Sequence, residues 1–141
     1  MSERSMSHVV TDAVKDFRGS VPECVAAGIV DMSTGMLLAV DTVDNHPNEV
    51  LDLLAAATFD IFQGRNVVMI EDVFNRRRGI NTTSHYFQEI LVNSQNLVHL
   101  FMRSATNSEI VAVVVCRRTV NIGMLFAQAR LVMKRLDGGV G

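Results

Sequence analysis

Between Val50 and Phe62 the only clearly polar positions are Asp52, Thr58 and Asp60. The segment follows Asp44-Asn45-His46-Pro47-Asn48-Glu49, a dense stop-and-start signal. Pro47 suits a first helical turn, and Glu49 complements the positive end of a helix dipole. As a helix, this stretch is apolar over well over half its circumference, whereas a helix covered on one side only shows a narrower stripe. It is therefore expected to pack on its own sheet and on something else as well, most simply a second copy of the chain. Gly64 interrupts the pattern, and Gly inside a helix costs about 1 kcal/mol relative to Ala. A kink or break is expected there, with helix resuming through Val67, Ile70, Val73 and Phe74. It would end at Arg76-Arg77-Arg78-Gly79, with cations at the negative helix end. Ile80–Ser84 reads as a loop.

The flanking segments supply the sheet and two more helices. Met6, Val9, Val10, Ala13, Val14 and Phe17 recur at helical spacing, with Ser5 as N-cap and Gly19 as a stop signal. Cys24–Met32 and Met36–Asp41 are short apolar runs around Ser33-Thr34-Gly35. That chemistry predicts a hairpin in which Gly35 takes positive φ. The first of these strands is apolar almost throughout, as in a sheet covered on both faces. Tyr86–Val92, Leu97–Met102 and Ile110–Cys116 follow, separated by the turns Asn93–Asn96 and Thr106–Glu109, and read as a three-strand meander. Ile110–Cys116, rich in β-branched residues, is the strongest strand signal in the chain. Ile122, Leu125, Phe126, Ala129, Val132, Met133 and Leu136 trace a last helical face. The order α-β-β-α-β-β-β-α with short strand connections predicts an α+β fold: a five-stranded antiparallel sheet with helices on both faces.

The chain has 141 residues, 48% of them apolar, with 13 Lys+Arg against 15 Asp+Glu. That length fits a single domain over residues 1–141, with flexible ends expected at 1–5 and 137–141. The apolar share excludes a largely disordered chain. A net charge of −2 argues against a non-specific nucleic-acid binder, which needs a concentrated excess of Lys and Arg. Met1 to Ser7 carry Glu3 and Arg4 and no apolar core, so no signal peptide is expected. The longest apolar stretches, Ile110–Cys116 and Val25–Val30, are far shorter than the ~20 residues of a membrane helix. The expected setting is the cytoplasm, without membrane insertion. Cys24 and Cys116 sit far apart in apolar runs, unlike a secreted disulfide scaffold.

Three segments resemble the roadblock/dynein light-chain domain family, a three-layer fold related in shape to profilin. Gly28-Ile29-Val30-Asp31 through Gly35-Met36-Leu37-Leu38-Ala39 is similar to its opening hairpin. The wide-faced helix beginning near Asn48 is similar to its central helix. Ile110–Cys116 followed by Asn121-Ile122-Gly123-Met124-Leu125 resembles its last strand, its Asn-x-Gly helix start and its final helix. The resemblance spans roughly Met6 to Leu136 and rests on a pattern of elements. It implies first and last helices on one sheet face and the central helix on the other. It also implies pairing of two copies through the central helix and the neighbouring edge strand. Leu54, Ala57, Ile61 and Val68, with Phe87 and Leu91 on the third strand, are the candidate dimer residues. Members act as dimeric scaffolds or regulators of Ras-like small GTPases, some within motor or signalling complexes. The stretch Arg65–Ser84 departs from the family by being longer and more apolar than the usual link, as an extended helix or a separate short one.

Chemical motifs are few. There is no G-x-x-x-x-G-K-[ST] phosphate loop, so the chain is not itself a P-loop GTPase. The two cysteines have no neighbouring partners for zinc and read as buried thiols packing as small apolar groups. His8, His46, His85 and His99 are scattered, and Ser84-His85 lacks an orienting acid. Asp52 and Asp60 read as the solvated stripe of a helix rather than an acid–base pair. Arg76, Arg77 and Arg78 are candidate contacts for an acidic partner, although helix-end capping explains them without one. No catalytic residue, metal or cofactor is expected. The expected function is a non-enzymatic homodimeric module for a Ras-like small GTPase. The alternative is a sensory domain holding a small ligand near Met36, Phe62, Met69 and Met102.

Overall fold

The computed structural model describes residues 5–43, 56–62, 64–79 and 87–140. α1 spans Met6–Ser20 and starts where Ser5 Oγ accepts the His8 N–H, at 3.3 Å. Its buried stripe is Val9, Val10, Ala13, Val14 and Phe17, as the spacing predicts. Gly19 lies inside the last turn, and the helix closes with the Val21 N–H on the Phe17 carbonyl. β1 (Cys24–Asp31) and β2 (Met36–Thr42) form the opening hairpin. In its turn the Asp31 carboxylate accepts from the Ser33 N–H and hydroxyl, at 2.9 and 2.6 Å. Gly35 takes φ +71°, a region costly for other residues.

Residues 56–62 are helical (α2), and α3 spans Arg65–Arg77. β3 (Glu89–Asn93), β4 (Leu97–Arg103) and β5 (Ile110–Arg117) follow as the meander. β3 starts later than the apolar pattern indicates; Phe87 and Gln88 precede it. α4 spans Ile122–Val140 and starts where Asn121 Oδ1 accepts the Met124 N–H at 3.0 Å. It runs past Asp137, the start of the expected frayed end. Asp137 is tied to the β4–β5 turn, accepting from the Ser104 hydroxyl and from the Ala105 N–H.

The sheet is five-stranded and antiparallel, in the order β2-β1-β5-β4-β3. Strand alternation sends Ile110, Ala112, Val114 and Cys116 of β5 into one cluster with Val98, Leu100 and Met102 of β4 and the stripes of α1 and α4. The intervening Val111 and Val113 join Val30 and Phe101 on the opposite face, where they meet Phe59, Ile61 and Phe62 of α2. The expected three-layer arrangement is therefore present, with α1 and α4 on one face and α2 on the other. An ion pair fastens α1 to α4: Arg135 donates to both Asp16 oxygens, at 2.7 and 2.9 Å.

Of the two arrangements open for Arg65–Ser84, the structure has a separate helix. The Gly64 N–H closes the preceding turn on the Asp60 carbonyl at 3.0 Å, and its own carbonyl accepts the Val68 N–H at 3.0 Å. Gly64 has φ −60° and ψ 154°, outside helical geometry, and α3 starts at the next residue. A Cβ at this position would lie 2.5 Å from the Asp60 carbonyl oxygen and 3.3 Å from its carbon. Both atoms are backbone, so no side-chain motion relieves the clash.

Two outcomes follow. Gly64→Ala should lower the unfolding free energy by about 2 kcal/mol in urea melts, the range for a forced backbone shift. The Arg135 guanidinium holds the Asp16 carboxyl below its ordinary value of 3.8. A carboxyl depressed in the folded state stabilises above its unfolded pKa and loses that contribution as pH falls through the folded one. Asp16→Asn should therefore flatten the decline of the urea midpoint below about pH 4, the ordinary carboxylate range.

Candidate interaction surface

α3 is turned inside out. Its buried residues are Glu71 and Asn75, at 4% and 7% exposure, while Met69 and Ile70 stand 58% and 45% exposed. Val68, Val73 and Phe74 are exposed with them. A helix on an apolar core normally presents the reverse pattern.

The cause is a buried cation at the end of β4. Arg103 is 5% exposed, and its Nε donates to the Phe87 carbonyl at 3.1 Å. Its Nη1 donates to the Ser108 carbonyl at 2.5 Å. The guanidinium carbon lies 4.9 Å from the centroid of the Phe62 ring, which meets Phe101 edge-on at 6.2 Å. Burial pulls the guanidinium below its ordinary pKa, and the negative charges of Glu71 and Glu109 oppose that pull. Glu71 Oε2 also accepts the Phe87 N–H at 3.3 Å. A charge this far from water is stable only when paired and hydrogen-bonded. Drawing Glu71 inward fixes the rotation of α3, and the apolar positions of the helix then face outward. Arg103, Glu71 and Asn75 carried no mark in the sequence. Arg103 closes an apolar strand as an ordinary strand-end arginine would.

Among the described residues, α2 covers part of its sheet face. A cavity of about 820 Å³ opens there, floored by Gly28, Val30, Val40, Phe101, Val113 and Val115 and bounded by Ala57 and Thr58 of α2. Arg117 and Thr119 stand among its lining residues, together with His99. His99 Nε2 lies 3.3 Å from Ser94 Oγ, and burial pushes the imidazole below its ordinary value of 6.5. Burial thus disfavours the charged imidazole, and the cavity is apolar with a polar edge.

Of the candidate dimer residues, Ala57 is exposed on α2 and lines this cavity. Ile61 is half-buried against the α2-face cluster, and Val68 is exposed on α3. Phe87 is half-buried just before β3, and Leu91 packs against the cluster under α1 and α4. Leu54 lies outside the described residues, as do Asp52, Ser84 and His85. Arg76 and Arg77 are exposed in the last turn of α3 and Arg78 is its C-cap. The four residues expected around a ligand do not converge. Met36 and Met69 are exposed on β2 and α3, Phe62 is buried under α2, and Met102 lies in the cluster on the other sheet face. Alternation along β4 explains the last: Met102 and Phe101 point to opposite faces. No group of three or more His, Cys, Asp or Glu able to hold a metal exists among the described residues. None of their helices is long and apolar enough to cross a membrane.

No protein-family model matches the chain, and no curated protein matches it. Solved structures do. Myxococcus xanthus MglB superposes at a TM-score of 0.72 with 12% identity, over 98% of this chain and 92% of that one. The gliding protein MglB of Thermus thermophilus gives 0.69 and 14%, over 96% and 92%. A Roadblock/LC7 domain from Streptomyces avermitilis gives 0.65 and 13%, over 99% and 98%. At these identities the likeness is one of fold: the chain has the roadblock/LC7 fold, a profilin-like sandwich.

The buried charges can be tested directly. Arg103→Ala should cost about 3–5 kcal/mol, because it leaves Glu71 buried without its counter-charge. The double variant Arg103→Met, Glu71→Met should recover much of that loss in urea unfolding, since an apolar pair of similar volume carries no desolvation penalty. An additive double variant would show that the two charges do not depend on each other.

Proposed function

We propose that this chain is a non-enzymatic interaction module that pairs with a second copy of itself and binds or regulates a Ras-like small GTPase in the cytoplasm. The observation that carries the pairing is the outward apolar face of α3. Contiguous apolar surface of this kind marks an interaction site. Val68, Met69, Ile70, Val73 and Phe74 are exposed on α3, and Ala57 is exposed on α2. The dimer surface is therefore the α2–α3 side of the molecule.

The GTPase is supported by the resemblance of the opening hairpin, central helix and Asn121-x-Gly123 helix start to the roadblock family. The fold likeness to MglB, a gliding protein in Thermus thermophilus, agrees with such a role. Arg76, Arg77 and Arg78 stand at the end of the apolar face, where they suit an acidic partner. The small-ligand reading has one observation in its favour, the apolar cavity beside α2.

Light scattering on the full chain at micromolar concentration should give twice the monomer mass. Ile70→Glu with Phe74→Glu should return it to monomer with unchanged circular dichroism. A wild-type monomer across that range would overturn the pairing. Pull-downs from the source cell should recover a Ras-like GTPase in one nucleotide state; recovery in neither would overturn that part. Titration with 1-anilinonaphthalene-8-sulfonate addresses the ligand reading. Bright saturable fluorescence lost in Val113→Trp would support it, and no fluorescence would dismiss it.

A further inference from the structure

Cys24 and Cys116 are far apart in the chain but meet in the sheet. Cys24, the first residue of β1, is the direct antiparallel partner of Cys116 on β5. The register shifts between Cys24 and Ala26, so Val25 is the extra residue of a bulge. The bulge leaves both sulfurs in the same cluster, under α1 and α4. Both cysteines are free thiols. Opposed residues of an antiparallel pair have Cα atoms about 4.5–5.5 Å apart, inside the roughly 4.4–6.8 Å that a disulfide spans. A pair at that spacing can be bridged without backbone movement.

The surrounding backbone is held firmly. The Arg117 N–H bonds to the Glu23 carbonyl at 3.0 Å, closing the ladder just beyond the two cysteines. Glu23 takes φ +53°, the one non-glycine in the left-handed region among the described residues. Its carboxylate accepts the Thr119 hydroxyl at 2.5 Å. Two anchors thus fix the approach of β1 to β5 at this end.

The two thiols are not equivalent. A hydrogen bond from Cys116 holds the Cys24 thiol below its ordinary pKa, the positive charge of Arg18 assists, and burial opposes. The same hydrogen bond, together with burial, pushes Cys116 up. Cys24 is also the more open of the two, at 9% exposure against 0%. It is the thiol a small oxidant reaches first, and Cys116 is placed to resolve what it forms.

We propose that Cys24 and Cys116 are an oxidation site at which a hydroperoxide makes a cross-strand disulfide that locks β1 to β5. The Cys24 thiolate attacks the terminal peroxide oxygen, the O–O bond breaks, and the departing oxygen leaves as water or alcohol after taking a proton. Cys24 is then a sulfenic acid. The Cys116 sulfur attacks the Cys24 sulfur as its proton passes to the sulfenic oxygen, the S–O bond breaks, and water leaves. Two thiols are oxidised by two electrons and one peroxide is reduced. Val25, Ala26 and Arg117, neighbours of the two cysteines, line the open cavity, so the bond would stiffen that edge of the sheet face.

The test uses the full reduced chain and hydrogen peroxide at modest excess, followed by denaturation and iodoacetamide. The expected product has lost two hydrogens, about 2 Da, and takes up no iodoacetamide until dithiothreitol is added. It runs as a single chain on a non-reducing gel, and digestion yields the Cys24 and Cys116 peptides joined. Both thiols remaining alkylatable would overturn the site, as would cross-linking only between chains. In Cys116→Ser, dimedone should trap a sulfenic acid on Cys24, whereas Cys24→Ser should leave Cys116 unlabelled. Labelling in the opposite order would overturn the assigned roles. The wild-type mass measurement stands whether or not either variant folds.

Discussion

Arg103 is a guanidinium carried into the interior at the end of an apolar strand, and much of the molecule's α2–α3 side is arranged around it. Its hydrogen bonds reach the Phe87 and Ser108 carbonyls, so it ties the approach to β3 and the β4–β5 turn to one point. Its guanidinium carbon lies over the ring of Phe62 in α2. Its charge draws Glu71 inward, and Glu71 carries α3 with it. A buried ion pair is a weak source of net stability, because desolvation offsets the attraction. Its contribution here is positional. It sets which way α3 faces, and the outward set of apolar residues follows.

The sheet imposes the complementary constraint. β5 is apolar on both sides, with Ile110, Ala112 and Val114 toward one face and Val111 and Val113 toward the other. Such a strand must be covered twice. Among the described residues, α1 and α4 cover one face closely, while α2 covers part of the other beside the cavity near Gly28 and Val40. The described residues thus place an apolar cavity on the α2 face of the sheet and an outward apolar face on α3. Both features suit the proposed interaction surface.

Much of this was legible in the residues. The stripe Val9, Val10, Ala13, Val14 and Phe17, the glycine turn at Gly35 and the β-branched run of β5 each follow a single local rule, and the structure keeps them. Periodicity also located a break at Gly64, and the contact with the Asp60 carbonyl explains why glycine is required there. The orientation of α3 was not legible. Val67, Ile70, Val73 and Phe74 recur at helical spacing, which marks a face without saying whether it turns inward. That choice rests on Arg103, far along the chain, and charge pairing at such separation leaves no periodic trace. The ligand set failed for a related reason. Met36, Met69 and Met102 share a residue type, whereas convergence is set by strand parity and helix rotation. The pairing of Cys24 with Cys116 needed the register of β1 on β5, including the bulge at Val25, which the two runs alone do not specify.

In the proposed pairing, the outward face of α3 is covered when two molecules meet. Hydrogen–deuterium exchange of peptides spanning Arg65–Arg77, followed from nanomolar to high micromolar protein, reads whether that face becomes covered. Exchange of those amides should slow as concentration rises, while peptides from α1 and α4 stay unchanged. Exchange of the Arg65–Arg77 peptides that is the same at every concentration would contradict it.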